Sequence, residues 1–433
     1  MTAEIAIINK GAVTLATDSA VTLTVRGSQK IYNCADKLFE LSDHDPMGIM
    51  VFNNLSFMGV PLDVAIKQFR GGKGSIRYDT ITEAATAFFR YLEEDLLPST
   101  ELQKQHARGI LSTLLESVLR TFQKASTTEW EKHKKTPDYD TIFSRTAKNA
   151  VANLEALDTA ECFVGVTEAD ATAFFADVIE DVVKSVFKGL PLGAEHIALV
   201  SRACVLALLR NKFSDLLTGI VFAGFGKGET FPSLLAYEID GVILNKLKRR
   251  ETHRVIAGRE QIAGEIIPFA QREMVDRFLY GIDPEFEGGI EEYLKIAIGA
   301  AGTALGAALP KMKKATKVKV DKSLHAATQT AIEIWQQKML PAVKERFMRE
   351  VQDMVYLMPK PELARLATEL INLTSVKRKF SSGKDTVGGP IDVAVISKTD
   401  GFVWVRRKHY FKPELNPRYF DRKFGKRNIG DAK

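Results

Sequence analysis

The first side chain able to do covalent chemistry is the second residue. The chain begins MTAEIAIINKGAVTLATDSA. Once Met1 is removed, Thr2 carries a hydroxyl and a free α-amine on one residue. An α-amine titrates near about 8, so it can take a proton from a hydroxyl at cellular pH, and such a threonine is a nucleophile that needs no histidine. Aminopeptidases generally remove methionine before a residue as small as threonine. A lysine beside the pair would lower the pKa of both the amine and the hydroxyl, and a carboxylate would hold that lysine in place. The chemistry would be acyl transfer from an amide.

Other chemistries lack their residues. There is no HExxH, no GxSxG and no complete phosphate-loop motif. GFGKGET (224–230) comes nearest, but Gly228 stands where Ser or Thr is required, and Pro232 opens a strand rather than a helix. It reads as a loop between strands. The seven histidines are scattered, and no CxxC or Cys/His cluster suggests a metal, so neither a metal nor a cofactor is expected. Cys34, Cys162 and Cys204 are far apart and odd in number, which argues for a reducing compartment, the cytoplasm. Glu4 and Lys10 fall where a signal peptide would be apolar. The nearest candidate for a membrane span, IAIGAAGTALGAALP (296–310), is too short and too rich in small residues, so no transmembrane segment is expected.

With 433 residues, 45% of them apolar and 26% charged, the composition is globular and the length suits two or three domains. The net charge of +6 is unevenly spread. Residues 404–433 hold ten Lys/Arg against three Asp/Glu, a larger surplus than the whole chain carries. Basic and aromatic residues interleave in this tail, and Lys311, Lys313, Lys314, Lys317 and Lys319 form a second run. Such segments suit a nucleic acid or a membrane surface. The other reading is a solvated segment wrapped on its own protein or on a neighbouring subunit.

The elements that would position Thr2 come first in the chain. EIAIIN (4–9) and AVTLATD (12–18) alternate as strands around a Lys10-Gly11 turn, followed by VTLTV (21–25), KLFEL (37–41) and the nearly all-apolar MGIMVFN (47–53). VPLDVAIKQFR (60–70) is helical, GGKGS (71–75) is a flexible break, and the helical period dominates from 79 to 216. Within it Ile110, Leu111, Leu114, Leu115, Val118, Leu119 and Phe122 trace one apolar stripe. Strands return as GIVFAGF, PSLLAYEID, GVILN and HRVIAG up to residue 258. A helix is expected over 265–282 with Pro268 in its first turn, then a long helix over 322–357 and another over 361–373. A strand hairpin over 388–408 turns at Thr399-Asp400-Gly401. Strands therefore cluster near 4–53, 219–258 and 389–407. This reads as one discontinuous α+β core over 1–410, with helical insertions at 70–216 and 283–358 and a basic tail at 404–433.

That arrangement resembles the proteasome β-subunit and the related HslV-like peptidases, which are N-terminal nucleophile hydrolases. The resemblance is carried by a strand directly behind the threonine, the turn at Gly11, a second strand ending in Asp18-Ser19, Lys37 opening KLFEL, and GIMVF leading into a helix. GIVFAGF with PSLLAYEID is similar to the family's central hairpin, and DTVGGPIDVAVI (385–396) to its region before the last hairpin. The resemblance implies a four-layer αββα sandwich and hydrolysis of peptide bonds. Thr2 matches the nucleophile, Asp18 the carboxylate and Lys37 the lysine, with Lys30 as the rival. Asp385 or Thr386 would lie near the amine. It also implies assembly with further copies of the chain. Where the family has a glycine whose N–H binds the oxyanion, this chain has Phe52, Asn53 and Asn54, and Asn53 takes that place. The alternatives are an inactive scaffold of the same fold, an amidase acting on small molecules, and a binder of nucleic acid or membrane through the basic tail.

Overall fold

The computed structural model describes residues 2–25, 28–257, 264–308, 314–381 and 387–424. Strands β1 (Ala3–Asn9), β2 (Ala12–Thr17), β3 (Ala20–Val25), β4 (Ser28–Asn33), β5 (Leu38–Glu40), β6 (Met47–Asn53), β7 (Ser56–Phe57) and β8 (Val60–Pro61) come first. Helices α1 (Leu62–Gly72), α2 (Ile81–Arg90), α3 (Thr100–His133), α4 (Tyr139–Glu155), α5 (Glu168–Val186) and α6 (Ala194–Leu209) follow. Next are β9 (Thr218–Gly224), β10 (Ser233–Ile243), β11 (Lys246–Ile256) and β12 (Gly264–Ala270). The chain continues through α7 (Glu273–Tyr280), α8 (Pro284–Ala308), α9 (Lys314–Ile334), α10 (Leu340–Leu357) and α11 (Lys360–Lys379) to β13 (Asp392–Ser397), β14 (Gly401–Arg406) and α12 (Pro417–Phe424). It is a mixed helix-and-strand protein with several antiparallel sheets.

The chain divides into two compact units. One gathers Met1–Ala35, Ala257–Val395 and Val403–Lys433 around a five-stranded sheet ordered β12-β1-β2-β13-β14. Its helix-facing core joins Ala3, Ile5 and Ile7 of β1 to Leu363, Ala367, Leu370 and Ile371 of α11. Because side chains alternate along a strand, Thr2, Glu4, Ala6 and Ile8 belong to the opposite face. β3 and β4 form a separate two-stranded ribbon.

The helix expected over 265–282 is not what forms. Gly264–Ala270 pairs with β1 residue for residue, from Asn9↔Gly264 to Ala3↔Ala270, and α7 begins only at Glu273. An apolar run as short as EIIPFA has no decisive period, and the unpaired side of β1 decides its conformation. β12 is an edge strand, which is where the missing N–H of Pro268 is tolerated. The long helix starts earlier than residue 322, at Lys314. A π-helical segment over Trp335–Met339 joins α9 to α10 just before Pro341 and absorbs the proline. Among the described residues, no helix is long and apolar enough to cross a membrane.

The other unit gathers Asp36–Ile256 and Ile396–Phe402 around a sheet ordered β11-β10-β9-β6-β5. Helices α1 and α2 cover it. Phe69, Phe88 and Phe89 meet Phe222 of β9 in a run of edge-to-face contacts, with centroids 5.2–5.7 Å apart for the Phe69–Phe88, Phe88–Phe222 and Phe89–Phe222 pairs. The expected break at 71–75 falls partly inside α1, which runs through Gly71 and Gly72. The α3 stripe is buried as its period requires. Ile110, Leu111, Leu115, Val118 and Phe122 enter a second core with α4, α5 and α6, while Leu114 and Leu119 lie at its margins. GVILN is not a strand of its own. It ends β10, and Leu244 and Asn245, at φ of 53° and 60°, turn the chain tightly into β11. GFGKGET is a loop, as expected. Gly226 is required there because a Cβ would lie 2.2 Å from the Asp79 carbonyl oxygen.

Lys248 on β11 is fully buried and donates to the carbonyls of Ala207 (3.1 Å) and Lys212 (2.7 Å). Burial pushes its ammonium down from 10.5 to about 8. Between those values the unfolded chain holds the extra proton, so this group makes stability rise with pH across that window. Below about pH 8 both states are charged and the burial penalty is felt in full. Thermal unfolding from pH 7 to 10 should therefore show wild-type stability rising relative to Lys248→Met; parallel curves would refute the assignment.

Candidate active site

Thr2 lies at the open end of the β1–β2 hairpin. At the closed end, Asn9 fixes the turn. Its Oδ1 accepts from the N–H groups of Gly11 (2.9 Å) and Ala12 (3.1 Å), and its Nδ2 donates to the carbonyls of Val355 and Met358 at the end of α10. The strand is thus bolted down far from the threonine, and the hairpin register carries the order back to it: Ile8↔Val13, Ala6↔Leu15, Glu4↔Thr17.

The open end is closed by Asp18, which is fully buried. Its Oδ1 accepts from the N–H of Ala3 (3.3 Å), and its Oδ2 from those of Gly388 (2.9 Å) and Ala20 (3.4 Å). Its own N–H donates to the Ala3 carbonyl at 3.1 Å. Three backbone donors offset the cost of burying this carboxylate. Ser19 continues the lacing. Its N–H reaches the Gly388 carbonyl (3.1 Å), its Oγ donates to the Pro390 carbonyl (2.5 Å), and its carbonyl accepts from Ala35. Gly389, at φ 80°, passes so close to Asn33 that a Cβ would lie 2.7 Å from the asparagine's own. Ser19 is therefore structural: it holds the 388–390 segment against the corner.

Thr2 itself is 3% exposed. Its carbonyl accepts from the N–H of Gln271 (3.1 Å), and the Gln271 side chain accepts in turn from Arg378 of α11. The Thr2 hydroxyl donates to Oε2 of Glu4 at 3.0 Å. Glu4 is 1% exposed and is absent from the candidates drawn from the sequence. The signal is a single charge in the apolar run EIAII, two residues from Thr2 and so on its face.

The remaining candidates divide. Asp385 and Thr386 lie outside the described residues. Lys37 and Asn53 belong to the other unit. Lys37 immediately precedes β5 and is fully buried, and its carbonyl accepts from Val51 of β6. A lysine survives such burial only with compensating partners. The rival Lys30 is exposed on β4. Asn53 ends β6 with φ 64°. Outside glycine, asparagine is among the residues that enter this left-handed region most readily, so the backbone here takes a glycine-like conformation without a glycine. The residue before it, Phe52, lies over Gly219 of β9, where a Cβ would sit 2.0 Å from the ring.

No family model matches the chain, and no curated protein shows significant similarity to it.

Asp18→Ala should strand the buried N–H groups of Ala3 and Ala20 and the part-buried one of Gly388, and lower stability by about 3 kcal/mol in urea denaturation, whereas Asp18→Asn, which keeps one acceptor oxygen, should cost less. Equal and small losses would show that the corner does not depend on this carboxylate.

Proposed function

We propose that the chain is an N-terminal threonine hydrolase of the proteasome β-subunit and HslV type, cleaving peptide bonds with Thr2 as nucleophile once Met1 has been removed. The observation that carries this reading is the position of Thr2. Its hydroxyl is buried and held against a carboxylate at the open end of the first hairpin, with Asp18 gathering the backbone around it. A threonine with a merely structural role at a strand start has no need of such surroundings.

In this reading Thr2 Oγ attacks the substrate carbonyl, and its proton passes to a base beside it, the α-amine in the resembled family. In the resembled family a lysine stabilises the developing charge, and Lys37 is this chain's match for it. In the resembled family a glycine N–H binds the oxyanion; Asn53 is this chain's match for that glycine, and its left-handed backbone supports the match. Water then releases the acyl group. The fold that belongs to this reading is the four-layer αββα sandwich. Two features support it: each unit is built on a five-stranded sheet, and each sheet has helices packed on it.

Thr2→Ala should abolish cleavage of a fluorogenic peptide panel, with kcat/KM falling by roughly 10³-fold or more, while Thr2→Ser keeps measurable turnover. Lys37→Met should lose activity to a similar extent in protein whose circular dichroism is unchanged. Undiminished hydrolysis by Thr2→Ala would sink the proposal.

A further inference from the structure

We infer that Glu4 is the general base of this site, taking the Thr2 hydroxyl proton that the α-amine would otherwise take; the inference rests on the threonine-hydrolase reading above.

The geometry is direct. Oε2 of Glu4 lies 3.0 Å from Thr2 Oγ, within the reach a proton acceptor needs, and both residues are buried. An ionised carboxylate only accepts hydrogen bonds, so the hydroxyl proton already points at it. Strand pairing holds Glu4 on both sides, opposite Thr17 of β2 and Phe269 of β12. A two-residue spacing keeps it on the nucleophile's face.

Electrostatics favour the carboxylate over the amine. The amine of an N-terminal threonine is bonded to the carbon next to the one that bears the hydroxyl. A carboxylate in contact with the hydroxyl is therefore within ion-pair reach of the amine, and it favours the protonated ammonium form. An ammonium cannot accept a proton. The same ammonium is attracted to Glu4 and helps to seat it. Among the described residues of this unit, Asp18 binds the N–H of Ala3 between Thr2 and Glu4, Arg378 of α11 reaches Gln271, whose N–H holds the Thr2 carbonyl, and Glu265 on β12 pairs with Ile8 further along β1.

The proton balance closes without a co-reactant other than water. As Oγ bonds to the carbonyl carbon, its proton moves to Glu4. As the C–N bond breaks, Glu4 returns that proton to the leaving amine, and the acyl group stays on Thr2 as an ester. Water then attacks the ester and gives a proton to Glu4, which passes it to the departing Thr2 Oγ.

The test is acylation by 4-nitrophenyl acetate, with nitrophenolate release followed from pH 5 to 9 and the adduct located by peptide mass spectrometry, in wild type, Thr2→Ala, Glu4→Gln and Glu4→Asp. Free carboxyl groups titrate near about 4.3 and α-amines near about 8. Wild-type Thr2 should thus be acylated at pH 6 almost as fast as at pH 7.5. Glu4→Gln should be slower by about 100-fold, with its acid limb moved towards pH 8, and Glu4→Asp should keep the wild-type limb at a reduced rate. If Glu4→Gln acylates within about threefold of wild type with the same pH profile, while Thr2→Ala is unreactive, Glu4 is not the base and the threonine reading stands. If wild-type Thr2 takes no acyl group, both are overturned. Should Glu4→Gln fail to fold, Glu4→Asp decides: an acid limb moved to the amine range contradicts the assignment.

Discussion

One buried carboxylate ties together three stretches of chain that are distant in sequence. Asp18 accepts from Ala3, Ala20 and Gly388, and so joins the start of β1, the start of β3 and the approach to β13 at a single point. The rest of the corner follows. Because Asp18 holds Ala3 on both its N–H and carbonyl sides, Thr2 has little freedom beyond its own side chain. Because Gly388 is held, Ser19 can reach Pro390 and Gly389 can lie flat on Asn33. A charge buried without such donors would cost several kcal/mol. Here the cost is offset by the same backbone groups that the corner has to arrange.

Much of this could be read from the residues. The β1–β2 hairpin is legible as two strand-length runs around Lys10-Gly11, although both strands are buried along their whole length rather than on one face, and the α3 stripe follows from its period, where local pattern and burial agree. Asp18 and Lys37 stood out as charges at strand boundaries, and both are fully buried. What could not be read has a common cause. EIIPFA becomes a strand because β1 has a side to pair, and that vacancy is invisible to a window of neighbouring residues. β4 escapes notice because SQKIYN is polar and pairs only with β3, outside both large sheets. Asn53 differs in identity from the glycine of the resembled family, and residue identity does not disclose φ; the left-handed backbone it adopts is one that glycine enters readily.

Glu4 illustrates the opposite case. It is fully visible in the sequence, where its charge alone argues only against a signal peptide. Its meaning comes from burial: a carboxylate 1% exposed beside a hydroxyl in a strand that is otherwise apolar up to Asn9 at its turn. Sequences depart from local consistency chiefly at functional sites, and the one buried charge of this strand lies two positions from the proposed nucleophile.

The most direct test of the central claim is the N-terminal peptide of the purified protein, analysed by mass spectrometry after brief exposure to a β-lactone that acylates activated hydroxyls. The account predicts a peptide that begins at Thr2, has lost Met1 and carries the lactone mass on that residue. A peptide that still begins at Met1, or a Thr2 that stays unmodified, would contradict it.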